Sequence, residues 1–208
     1  MRLGILGGTF NPIHLGHLLL AECAREQCDL DQVWFIPTAT PPHKTSRDLL
    51  PGAQRLALVR LAIRGHPSFR ASDLEVRLGG ISYTLKTVRL IRARVPRAHL
   101  VLIVGSDMLQ VRWHGLSELS RLCTFAAAPR WFNLTHHPSN HPESRRRTNT
   151  GRSPGFPRMR RIVMPQVEIS SSMIRARVRR GRSLQYLVPE AVARSITRHR
   201  FFQEGEMA

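Results

Sequence analysis

Apolar positions along this chain fall into two kinds of block. Short, nearly unbroken apolar runs occur at Leu3–Leu6, Gln32–Ile36, Phe69–Ser72, Leu100–Val104 and Thr124–Ala128, with Arg161–Met164 as a sixth. Uninterrupted runs of that length suit strands of a parallel sheet covered on both faces. Between them the apolar residues recur at helical spacing, over His17–Gln27, Ala53–Arg64, Thr84–Arg94 and Ser117–Arg121, then Ser171–Arg179 and Pro189–Arg198. Alternating strands and helices predict a Rossmann-like α/β fold, a doubly wound parallel sheet in a single domain spanning residues 1–208. Ligands of such sheets bind at the carboxyl ends of the strands. Residues 131–160 interrupt the pattern. They are rich in Pro, Asn, His, Ser and Arg without a period, so a flexible loop insertion is expected there. No internal repeat is present.

Composition changes this picture little. A chain of 208 residues with 42% hydrophobic content can bury a core without staples. No apolar stretch reaches the roughly 18 residues a membrane span needs. The opening apolar run breaks at Gly7 and Gly8, unlike a signal peptide, so a cytoplasmic protein is expected. Cys23, Cys28 and Cys123 form no paired motif and read as free thiols. His136, His137 and His141 have only Glu143 for acidic company, and no metal site is expected from them. The net charge of +18 suggests nucleic acid. The arginines are nevertheless spread along the chain without interleaved aromatics, which argues against that partner. A positive field that gathers phosphorylated substrates accounts for part of the charge. Association of copies of this chain is left open.

The chemistry concentrates in Gly7-Gly8-Thr9-Phe10-Asn11-Pro12-Ile13-His14-Leu15-Gly16-His17. Gly7 and Gly8 allow a sharp turn and bring backbone N–H groups close to a ligand. His14 and His17 are three apart and share a face of the helix that opens there, with Gly16 leaving room between them. The positive end of that helix points to the same place. Together these features describe a nucleotide phosphate site. Four further segments carry candidates. Pro37–Lys44 is a proline turn ending on Lys44, a mobile charge suited to a phosphate. In Gly79–Thr84, Ser82 or Thr84 is placed to cap a helix. Gly105-Ser106-Asp107 ends a strand, with Asp107 as a helix cap, and Ser170–Ser172 open the next-to-last helix. Arg55 either pairs with a surface carboxylate or serves the site.

Residues 7–17 closely resemble the signature of the nucleotidyltransferase superfamily that carries a His-x-Gly-His motif. The order of all five segments resembles the bacterial nicotinate-nucleotide adenylyltransferases. That resemblance implies adenylyl transfer from ATP to nicotinate mononucleotide, with Mg²⁺ arriving on ATP and no protein metal site. It implies ATP binding by Gly7, Gly8, Thr9, Phe10, His14, His17, Gly105, Asp107, Ile169, Ser170, Ser171 and Arg175. It implies catalytic roles for His14, His17, Lys44 and Arg175. For nicotinate mononucleotide it implies Asn11, Lys44, Ser82, Tyr83, Thr84, Trp113 and His114, the Trp stacking on the pyridine ring. The chain departs from the family at His114, where a Tyr is common, in a shorter interval from Asp107 to Trp113, and at Ala128-Pro129-Arg130, which lacks a glycine. The alternatives are a nicotinamide-mononucleotide or pantetheine-phosphate acceptor, and a basic RNA-binding protein that kept the fold and lost catalysis.

Overall fold

Strand β1 (Arg2–Gly8) alternates its side chains between two faces, and each face meets its own helices. The computed structural model describes residues 1–41, 48–105, 108, 113–128 and 159–203. After β1 come α1 (Leu15–Gln27), β2 (Gln32–Pro37), α2 (Gly52–Ala62), β3 (Phe69–Ala71), α3 (Leu74–Leu78) and α4 (Thr84–Arg94). They are followed by β4 (His99–Gly105), α5 (Leu116–Leu122), β5 (Thr124–Ala128), β6 (Met159–Arg161), α6 (Ser171–Arg179) and α7 (Glu190–Arg198). The six strands are all parallel, in the order β3-β2-β1-β4-β5-β6. The doubly wound expectation holds.

Two apolar layers result. On one face Val33, Phe35, Val101 and Ile103 pack against Leu20 and Ala24 of α1, Leu58 and Val59 of α2, Ile174 of α6 and Val192 and Ile196 of α7. On the other, Leu3, Ile5, Leu100, Leu102 and Val104 meet Val88 and Ile91 of α4 and Leu119 of α5. Each such side chain is worth about 1.5–3 kcal/mol on full burial. Gly4 faces the first layer with no room to spare. A Cβ there would lie 2.7 Å from Leu30 Cδ1 and 3.0 Å from Ile103 Cδ1.

The order reverses between β1 and β4, and the ladder shows where a crevice opens. Pairing of β1 with β4 runs only to Ile5↔Leu102. Pairing of β1 with β2 continues to Gly8↔Pro37, and β4 stays with β5 to Gly105↔Ala128. The two central strands therefore part at their carboxyl ends, the switch point where open α/β sheets take ligands.

Two elements differ from the sequence reading. Helix α3 was not expected, because Leu74, Val76 and Leu78 alternate and carry no helical period; the burial of Leu74 and Glu75 decides it. The last strand lies at Met159–Arg161 rather than Arg161–Met164. Met159 pairs with Phe125 and is buried, whereas Val163 is 72% exposed and bonds through its backbone to the Gln27 side chain. Met159 and Arg160 thus belong to β6 and not to the loop. The rest of the 131–160 segment lies outside the described residues. Among the described residues no helix is long and apolar enough to cross a membrane, and the three cysteines are unpaired.

Candidate active site

Gly7 and Gly8 are the last two residues of β1, not a turn. Space above Gly7 is open, while a Cβ on Gly8 would sit 3.0 Å from the Phe10 ring. The turn comes next, at Phe10, whose φ of 48° places it in the left-handed region, followed by a cis Asn11–Pro12 peptide. Phe10 is held there by burial: its ring packs against Phe35 beneath and the edge of His17 beside it, at centroid distances of 6.0 and 5.0 Å.

His14 is the N-cap of α1 and His17 its third residue, so the two imidazoles meet at the start of the helix as their spacing predicts. Their rings stack with centroids 3.7 Å apart. The backbone N–H of His14 donates to His17 Nδ1 at 3.2 Å. In neutral His17 this acceptor role puts the ring proton on Nε2. Gly16 does not leave a vacancy. A Cβ there would lie 3.1 Å from His14 Nδ1 and 3.8 Å from the Ile169 carbonyl oxygen, so glycine lets α1, the His14 ring and the approach to α6 close on each other.

Helix α6 arrives from the far end of the chain and grips the same loop. Ser170 is its N-cap, its Oγ accepting from Met173 N–H at 3.1 Å. Ser171 Oγ donates to the Pro12 carbonyl at 2.9 Å, and Arg175 Nη1 donates to the Asn11 carbonyl at 2.9 Å. Arg175 Nη2 reaches Ser172 Oγ at 3.3 Å, and its Nε lies 3.5 Å from the Asp48 carboxylate, which also meets Arg179 at 3.0 Å. The amino-side histidines and the downstream arginine thus converge on one loop. Ser171 and Arg175 already anchor that loop, a part the sequence did not assign to them. The Leu15 N–H donates to the Leu187 carbonyl at 3.0 Å, so the carboxyl-terminal segment also closes over the start of α1.

Asn11, read as an acceptor-site residue, is buried with both ends of its amide engaged. Its Nδ2 donates to the Asp48 carbonyl at 2.8 Å and its Oδ1 accepts from Leu50 N–H at 3.1 Å. The structure gives it a clamp on residues 48–50. Neither Ser82 nor Thr84 caps α4, whose N-cap is Tyr83 without a side-chain bond. Ser82 Oγ instead accepts from Ala39 N–H at 2.9 Å, and Ile81 forms a parallel bridge with Thr40. These ties bring the 79–84 loop beside the end of β2. Tyr83 is exposed, with the His114 ring 5.3 Å away. Trp113 packs edge-on against Phe125 at 5.8 Å and donates to the Met108 carbonyl at 2.7 Å. Gly105 ends β4 across the crevice. His43, Lys44, Ser106, Asp107 and Arg130 lie outside the described residues.

Arg55 pairs with no surface carboxylate. It is fully buried, on the face of α2 that carries Leu58 and Val59. Its Nε donates to Leu50 O (2.8 Å), Nη1 to Thr9 O (2.8 Å) and Nη2 to Thr38 O (2.6 Å) and Ala39 O (2.9 Å). Burial lowers its pKa, and the nearby charge of Glu75 pushes the other way. Glu75 is itself buried, which raises its carboxyl pKa against the pull of the Ser82 and Thr87 hydroxyls and then of Arg55. Thr87 Oγ1 donates to Glu75 Oε1 at 2.6 Å. The sequence reading missed Glu75 and Thr87, and only the apolar stripe shared with Leu58, Val59 and Ala62 hinted that Arg55 points inward.

A parallel sheet parted at its switch point, with a histidine pair at a helix start and an arginine helix closing on the same loop, defines a nucleotide-binding protein of the Rossmann-like class. Residues 5–177 match the cytidylyltransferase-like family. A relative from Dehalococcoides mccartyi, named "Probable nicotinate-nucleotide adenylyltransferase", is 38% identical over 205 residues, 96% of each chain. One of the same name from Exiguobacterium sibiricum is 40% identical over 198 residues, 94% of this chain and 96% of the relative. Among solved structures, Plasmodium falciparum nicotinic acid mononucleotide adenylyltransferase complexed with NaAD superposes with a TM-score of 0.73 over 97% of both chains. At 17% identity that likeness concerns the fold. The chain belongs to the nicotinate-nucleotide adenylyltransferase family, within the cytidylyltransferase-like proteins.

Proposed function

We propose that this protein transfers the adenylyl group of ATP to nicotinate mononucleotide, releasing pyrophosphate and forming nicotinate adenine dinucleotide, a step of NAD biosynthesis. One observation carries the reading: full-length similarity to this family coincides with convergence of His14, His17 and the α6 end on a single loop at the sheet's switch point.

The 5′-phosphate of the mononucleotide is already ionised, so it attacks the α-phosphorus of ATP directly. The new O–Pα bond forms as the bridge from Pα to the β-phosphate breaks, and the electron pair leaves on pyrophosphate. No covalent enzyme intermediate is required. Catalysis reduces to alignment and to donors aimed where charge develops. His17 is suited to this, because its Nδ1 accepts the His14 backbone N–H and a neutral ring then carries its proton on Nε2. His14, stacked on it, holds it in place and shares the phosphates. Gly7 and Gly8 present side-chain-free backbone, and the start of α6 with Ser171 and Arg175 receives the departing pyrophosphate. Lys44 adds a positive charge, and Tyr83 with His114 faces the acceptor's ring.

Mg²⁺ bound with ATP would supply positive charge that offsets the charge of the phosphates. Among the described residues no three His, Cys, Asp or Glu side chains gather to hold a metal. We infer that the ion enters on ATP with its waters, as Mg²⁺ commonly does. We infer that the reaction takes place in the cytoplasm.

The test is pyrophosphate release from ATP offered with nicotinate mononucleotide, nicotinamide mononucleotide or phosphopantetheine. Turnover greatest with the nicotinate acceptor is expected. Preference for either other acceptor would reassign the substrate, and no turnover with any of them would leave a non-catalytic protein.

A further inference from the structure

Arg55 and Glu75 are charged residues enclosed within the fold, which is costly. Arg55 is 0% exposed, Glu75 7% and Thr87 3%. Such groups persist when they satisfy several partners at once, and here the partners are the loops that border the crevice. Arg55 binds Thr9 O in the loop after β1, Thr38 O and Ala39 O in the loop after β2, and Leu50 O in the segment that Asn11 clamps. Ala39 N–H in turn donates to Ser82 Oγ, Ser82 N–H donates to Thr40 O at 3.0 Å, and Glu75 accepts the hydroxyl of Thr87, on the helix that the 82–84 loop opens.

We propose that Arg55, Glu75 and Thr87 form a positioning network that sets the separation between the histidine loop at residues 9–14 and the acceptor loop at residues 82–84. The inference rests on the adenylyl-transfer reading and adds residues that never touch substrate. A guanidinium fits the task because one rigid fork bonds four carbonyl oxygens from three segments; a lysine ammonium, a single point with three donors, cannot. An in-line transfer between two bound substrates is sensitive to that spacing, since a shift of about 1 Å can cost on the order of 100-fold.

The experiment compares wild type, Arg55→Lys and Thr87→Val, with kcat and KM for ATP and for nicotinate mononucleotide measured below each variant's melting transition. Arg55→Lys is expected to lower kcat about 10- to 100-fold while raising KM for the mononucleotide. Thr87→Val keeps the shape of the side chain and removes one hydroxyl, and is expected to raise KM for the mononucleotide about fivefold with KM for ATP nearly constant. A network that only stabilises the fold would lower the melting temperature and leave both constants at wild-type values, which overturns the proposal. Should Arg55→Lys fail to fold, Thr87→Val decides alone, and an unchanged KM there overturns it. Absence of wild-type turnover in the same assay would instead sink the adenylyl-transfer reading.

Discussion

The histidine loop is held from two sides by two arginines whose circumstances differ. On the sheet side, Arg55 is wholly enclosed, and each of its three nitrogens is engaged with backbone carbonyls. On the open side, Arg175 keeps 16% of its side chain accessible and spends Nη1 on Asn11 O, while Asp48 lies beside its Nε. The same residue type therefore serves two ends. An enclosed fork with every direction taken fixes the backbone and cannot respond to a ligand. A half-open one can hold the loop and still offer charge to an incoming phosphate.

The comparison breaks most directly by removing each guanidinium in turn. Arg55→Met should cost about 3–5 kcal/mol in a urea titration, because four backbone carbonyls lose their buried donor. Arg175→Met should cost about 1 kcal/mol or less in stability but reduce kcat/KM about 100-fold or more. Equal stability losses in the two variants would erase the distinction. The histidine side sharpens it next. His17→Ala should lower kcat by about 100- to 1000-fold while ATP binding changes less, seen by comparing turnover with an equilibrium ATP titration. Equal turnover would remove His17 from the reaction.

A smaller effect is expected at Gly16. Alanine favours the helix by about 0.5–1 kcal/mol, yet its Cβ would press on the His14 ring at 3.1 Å. Gly16→Ala should therefore leave the urea midpoint near wild type while turnover falls about tenfold. Smallest of all is a test of enclosure away from the site. Burial pushes the Cys123 thiol to about 11. A thiol so raised stays protonated at pH 8, and its contribution to stability is lost as pH rises from about 9, the ordinary thiol value, to about 11. Alkylation of Cys123 at pH 8 should be negligible in the folded protein and rapid in urea.

Much of the architecture is written in local pattern. The strands from β1 to β5 fall within two residues of their apolar runs, because a continuous apolar run fits little else between helices. The last strand shifted because partner choice, not the apolar run itself, selected Met159 over Val163. The site divides in the same way. The spacing of His14 and His17 predicts a shared helix start, and the rings stack there. The serines at α6 read as caps, and Ser170 is one. Asn11, Ser82 and Arg55 could not be read, since each bonds residues far away in sequence.

By itself the sequence determined most of the strands and helices, the meeting of two imidazoles at one helix start and a serine cap on a later helix. Those are properties of neighbours a few residues apart. The tertiary structure alone decided which polar groups are enclosed and which remain open. The bond from Arg55 to Thr9 spans 46 residues and that from Arg175 to Asn11 spans 164. Burial of a charge depends on carbonyl oxygens that only the finished packing brings within reach.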